Sequence, residues 1–175
     1  REDQIYVHMM SVKIIARVAT MVAAWQHVRN GYDPVEPRAD LTHAENFLYM
    51  LKGENNYTRL DAEIMDLSLV LHAEHSFNAS TFAAREVAST RAHMYAAVGA
   101  GVGSLSGALH GGANTRVMQM LLEIGSLEKI EDYVNNILET GGVIMGLGYA
   151  VYQTDDPRAH ILAPMSKAMG ERLGE

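Results

Sequence analysis

The chain has 175 residues, of which 48% are hydrophobic, enough for a sizeable buried core. A formal charge of -7, with acidic residues scattered along the chain, leaves no basic stripe for a phosphate backbone and argues against nucleic acid as a partner. Cysteine is absent, which excludes disulfides and thiolate zinc sites and suits a reducing, cytoplasmic setting.

Residues 5–29 form the first predicted helix. Ile5, Met9, Val12, Ile15, Ala16, Ala19, Val22 and Ala23 follow the helical period as one stripe, and Asn30-Gly31 ends it. Apolar stretches here and elsewhere are expected to be broken by charge short of the roughly 20 residues a membrane span needs. No signal-peptide pattern opens the chain, so a soluble protein is expected. Both the start at Arg1 and the helical pattern running out at Glu175 read as internal, as in a piece of a longer chain.

The prolines between Asp33 and Pro37 stop any continuation of the first helix. Thr42 with Glu45 is a capping-box pattern opening a second helix that ends near Gly53. Thr58 with Asp61 opens a third, with Leu60, Ile64, Leu67 and Leu71 on its apolar face and His72 and His75 near its end. A fourth helix is expected over residues 78–98. The cluster Gly99-x-Gly101-x-Gly103 either ends that helix or lets a neighbour pack closely. It is a poor dinucleotide fingerprint, because Ser104 holds the place of the third glycine and a helix precedes it.

Further helices are expected over 115–124, 127–139 and from Pro157 onward, with Asp156 as N-cap. Residues 143–153 mix Val, Ile, Tyr and Gly without helical period and are the one place for a short strand or hairpin. The fold class is therefore all-α. The 11 methionines and Trp25 are taken as packing residues.

Several residues could carry chemistry. His72 and His75 are spaced to share a helix face, either as part of a metal site or as a hydrogen-bonded pair at a polar helix end. His110, followed by Gly111 and Gly112, presents an imidazole and adjacent amides for close approach. That suits a general acid or an oxyanion stabiliser, and equally a histidine in a glycine-rich turn. Asp155-Asp156-Pro157-Arg158 is either a helix start with solvated charges or a rigid turn holding an arginine for a carboxylate.

Taken together, the run His110-Gly111-Gly112-Ala113-Asn114, the segment His72-x-x-His75-x-x-Asn78-x-Ser80-Thr81, residues 33–50 and Asp156-Pro157-Arg158 resemble the bacterial and archaeal branch of citrate synthases in order and spacing. The resemblance implies a helical protein with a large and a small domain hinged near His110. It divides this chain into a large-domain portion, 1–111, and a small-domain portion, 112–175. It also implies condensation of acetyl-CoA with oxaloacetate to citrate and CoA, with acetyl-CoA as a substrate and no metal or redox cofactor.

By position, His110 resembles the enol-stabilising histidine, and His75 and Arg158 resemble oxaloacetate-binding groups. Ser80 or Asn78 would stand behind His110. Val143, Ile144, Met145, Gly146 and Gly148 resemble a CoA-contacting loop. A homodimer is implied, with the glycines at 99–103 suited to close helix approach.

The pattern also departs from the family. Tyr149 and Ala150 stand where the family has a His-Arg pair, and a phenol with an ordinary pKa of about 10 stays neutral where an imidazole can become cationic. The family's general-base aspartate belongs to a segment downstream of residue 175. The expectation is weak or no synthase activity from these residues alone. The alternatives are a non-catalytic binding or interaction module of the same fold, and a 2-methylcitrate synthase using propionyl-CoA.

Overall fold

A computed structural model describes residues 2–148 and 153–174. Among these there are eight α-helices and no strand: α1 (Glu2–Arg29), α2 (His43–Lys52), α3 (Arg59–His72), α4 (Ala79–Ser89), α5 (Met94–Leu105), α6 (Gly112–Ile124), α7 (Ile130–Glu139) and α8 (Pro157–Leu173). The all-α expectation holds. The expected strand or hairpin is absent where it can be seen: residues 143–148 form a turn, and 149–152 lie outside the described residues.

The chain divides into two compact units, one of residues 1–75 with 155–175, the other of residues 76–154. These limits differ from the expected split at 111/112. A local reason is that the backbone N–H groups of Gly111 and Gly112 donate to Leu105 O and Gly107 O, which ties the start of α6 to the end of α5.

In the first unit α2 packs between α1 and α3, and α8 packs on α3. Both expected capping boxes form: Thr42 Oγ1 accepts from Glu45 N while the Glu45 carboxylate accepts from Thr42 N at 2.9 Å, and Thr58 and Asp61 repeat the exchange. The core comprises Ile14 and Ala23 of α1, Ala44, Leu48 and Met50 of α2, and Ala62 of α3.

Of the predicted stripe of α1, Ala23 is buried and Ala19 half-buried, whereas Met9, Val12, Ile15 and Val22 are all at least half exposed. Trp25 is 65% exposed, so it does not serve as packing within this unit, and of the methionines Met50 is buried while Met9, Met21 and Met118 are exposed. Residues 4–29 also form a helix long and apolar enough, by length and composition, to cross a membrane. Lys13 and Arg17 interrupt it as expected, leaving no uncharged run near 20 residues.

In the second unit α4 packs along α5. The single helix expected over 78–98 is two helices. Ser89 and Thr90 turn their hydroxyls back onto Glu86 O and Val87 O, Arg91 takes a left-handed φ of 62°, and His93 restarts the chain as the N-cap of α5. The glycine cluster lies inside α5 and does not end a helix. Only Gly101 uses its missing side chain: a Cβ there would stand 3.4 Å from Ser80 O and 3.6 Å from the Ala84 Cβ. The close-packing reading is the right one.

Candidate functional site

His110 sits in the turn that joins α5 to α6. Its backbone N–H donates to Gly107 O at 3.0 Å, and Gly111 N donates to Leu105 O at 2.9 Å. A Cβ on Gly111 would lie 2.2 Å from that same Leu105 carbonyl, so only glycine fits. The turn presents a half-buried imidazole. Its Nε2 lies 2.7 Å from Ser80 Oγ on the first turn of α4, and Ser80 Oγ in turn donates to Gly101 O of α5 at 2.9 Å. Three elements distant in sequence thus converge on one ring.

An open groove of about 380 Å³ runs beside this turn, lined by Val102, Leu105, Ser106, Gly112, Asn114 and Thr115 among others. Asn78 does not join the His110 cluster. Its Oδ1 accepts from Thr81 N at 2.9 Å, which makes it the N-cap of α4.

The loop 143–148 belongs to the same unit. Gly146 and Gly148 take left-handed φ values of 86° and 79°, and Gly146 lies so near α6 that a Cβ would meet Val117 Cγ2 at 3.2 Å. Ile144 and Met145 are half-buried, while Val143 is exposed. Tyr149 lies outside the described residues.

His75 and Arg158 belong to the other unit. His75 is not on α3 as expected, because the helix ends at His72. The two histidines therefore do not share a helix face: His72 Nδ1 bonds Ser68 O of its own helix at 2.6 Å. No group of three His, Asp, Cys or Glu side chains suited to a metal occurs among the described residues.

Asp156 accepts from Arg158 N, capping α8 as predicted, and also grips the Arg158 side chain, taking Nε at 3.0 Å and Nη2 at 2.5 Å. The Arg158 side chain, then its backbone N–H, hold the Asp156 carboxyl down at about 2, with a smaller contribution from the charge of His75. His75, Asp156 and Arg158 therefore form one electrostatic cluster. Sequence reading linked His75 and Arg158 only through family position. Arg158 meets Asp156 through a local bond two residues apart, whereas the coupling of His75 to Asp156 depends on tertiary placement and carries no local signal.

The family model for the citrate synthase C-terminal domain matches residues 1–175. The chain belongs to the citrate synthase family. It is 45% identical over 173 residues to a citrate synthase of Synechocystis, covering 99% of this chain and 43% of that protein. It is 40% identical over 164 residues to a 2-methylcitrate synthase of Mycobacterium tuberculosis, covering 94% of this chain and 40% of that one. The structure superposes on citrate synthase from Pyrobaculum aerophilum with a TM-score of 0.90 at 39% identity, over 99% of this chain and 43% of that chain. This citrate synthase family chain thus spans less than half the length of the relatives it matches.

Proposed function

We propose that these residues form part of an enzyme that condenses an acyl-CoA with oxaloacetate. The observation that carries the reading is the imidazole of His110, fixed through Ser80 and presented on a turn that sterically requires glycine at 111. In such an enzyme a carboxylate takes a proton from the acyl methyl group, and His110 stabilises the developing negative charge on the thioester oxygen. The carbanion carbon then bonds to the ketone carbon of oxaloacetate, and water cleaves the citryl thioester to release CoA.

The loop 143–148, turned by two left-handed glycines against α6, is the candidate surface for the CoA portion. Arg158 and His75 are the candidate groups for the oxaloacetate carboxylates. The Nε and Nη2 edge of Arg158 is already engaged by Asp156, so a dicarboxylate would have to compete with that carboxylate.

Tyr149 stands where the resemblance expects a carbonyl-polarising histidine. A phenol still donates a hydrogen bond but supplies no positive charge, so catalysis should be slower by a factor of hundreds or more. Similarity to a 2-methylcitrate synthase supports propionyl-CoA as a second acyl donor. A homodimer in the cytoplasm, working without metal or redox cofactor, completes the proposal. The competing proposal is a non-catalytic module that keeps the dicarboxylate or CoA site.

The test is calorimetric titration of oxaloacetate into the parent chain and an Arg158→Ala variant. Binding lost in the variant supports the dicarboxylate site. Absence of heat from a folded parent sample favours a scaffold without one. Condensation assayed for Tyr149→His with acetyl-CoA and with propionyl-CoA then separates enzyme from module and fixes the acyl group.

A further inference from the structure

Arg172 stands in the last turn of α8 and Asp61 in the first turn of α3, and their side chains meet at 2.6 Å. The contact sets the direction of one helix on the other: α8 runs back along α3, so its start lies towards the end of α3. Fourteen residues separate Arg158 from Arg172, about 21 Å of helix at about 1.5 Å per residue. From Asp61 to His72, the end of α3, is about 16 Å, and His75 follows three residues on. Pinned at one end, the two elements bring Arg158 and His75 to the same place at the other. There Asp156 holds the Arg158 side chain and senses His75.

Little else sets that register. No residue of α8 is buried, and Pro164 deprives the helix of one internal hydrogen bond. Asp61, by contrast, is 8% exposed and is itself anchored by the backbone N–H and hydroxyl of Thr58. A charge pair with one anchored partner is directional, whereas contact without buried side chains lets a helix slide.

We propose that Asp61 and Arg172 are a positioning pair for the dicarboxylate site, setting the register of α8 on α3 so that Arg158 stands beside His75. The ligand named here rests on the proposed function; the register does not. Neither residue touches oxaloacetate, and both act through the length of α8. When α8 slips, Arg158 spends part of its time out of place, and affinity falls with the fraction that remains in register.

The experiment uses the full chain, which has no cysteine, so spin labels attach only where cysteines are introduced. Val70→Cys on α3 and Ala159→Cys beside Arg158, both at exposed positions, report the spacing by electron paramagnetic resonance without ligand. The parent should give one narrow distance distribution. Arg172→Ala should broaden it and, in the unlabelled chain, weaken oxaloacetate binding by calorimetry about tenfold, as for a register kept about a tenth of the time. Arg172→Lys, which keeps the charge, should recover most of both. Asp61→Asn keeps an oxygen for Thr58 and should act as Arg172→Ala does, which serves if that variant does not fold. A broad parent distribution overturns the proposal, as does an unchanged distribution in a folded variant. A changed distribution with oxaloacetate affinity unaltered overturns it too. If the labels respond while the parent binds no oxaloacetate, the positioning of Arg158 stands and the dicarboxylate reading falls alone.

Discussion

Arg172, near the end of α8, reaches across 111 positions of sequence to place its Nη2 2.6 Å from Asp61 Oδ1 on α3. The other carboxylate oxygen of Asp61 accepts the backbone N–H and the hydroxyl of Thr58. One buried carboxylate therefore both caps a helix and fastens another helix onto it. Arg172→Ala should cost about 1–2 kcal/mol, because Asp61 keeps the Thr58 bonds on one oxygen and loses the partner of the other. Asp61→Ala removes both roles and should cost more. Urea midpoints of the two variants beside the parent check the order.

Acid should weaken the fold through these aspartates. Burial by itself pushes the Asp61 carboxyl up, but the Thr58 bonds and Arg172 outweigh it, so it titrates below its ordinary value. Asp156 is lowered from 3.8 to about 2 by Arg158. A carboxyl lowered by folding contributes stability that is complete above its unfolded value and is lost as pH falls through its folded value. Thermal midpoints should therefore drop between about pH 4 and pH 2. Arg158→Gln should flatten part of that slope, since Asp156 would then titrate nearer its unfolded value.

Gly111→Ala should disrupt the His110 turn. The added methyl would stand 2.2 Å from Leu105 O, a backbone atom that cannot move without breaking the bond it accepts from Gly111 N. A cost on the order of 2–3 kcal/mol is expected, measured by urea midpoint, with a shift of the His110 ring signals in the spectrum of the 15N-histidine-labelled chain. Gly112→Ala, whose Cβ would be 3.3 Å from Gly107 O, should cost less.

Within α5 the three glycines should behave differently. A Cβ at Gly99 or Gly103 meets nothing within 4 Å, so alanine there should add roughly 0.5–1 kcal/mol by raising helix propensity. Alanine at Gly101, 3.4 Å from Ser80 O, should forfeit that gain. Thermal melts of the three single variants decide it, and destabilisation by Gly99→Ala would instead indicate a second copy packed on that face.

Asp156→Asn tests the reading of Arg158 most directly. Asparagine caps a helix about as well as aspartate, so α8 should persist while the competing charge on Arg158 disappears. If Arg158 grips a dicarboxylate, oxaloacetate should bind several-fold more tightly, as measured by calorimetry. Unchanged or weaker binding would assign Arg158 to holding the helix start alone.

Sequence by itself determined the helices that carry their own start and stop signals. Thr42 with Glu45, Thr58 with Asp61, and Asp156 before Pro157 all cap as read, because a cap is a bond between residues two or three apart. The glycines after His110 were read as leaving backbone amides open to a ligand, but both N–H groups are committed to Leu105 O and Gly107 O, and Gly111 is required by its own chain's close approach. Tertiary structure decided the rest. The break at Thr90 and Arg91 turns on hydroxyls competing with the helix, a choice that apolar periodicity does not encode. His75 falls beyond the end of α3 and joins Asp156 and Arg158, and Gly101 earns its place only because Ser80 packs on it. The exposed stripe of α1 shows the same limit from the other side: periodicity marks which face is apolar, and only the packing of neighbouring elements determines whether that face is covered.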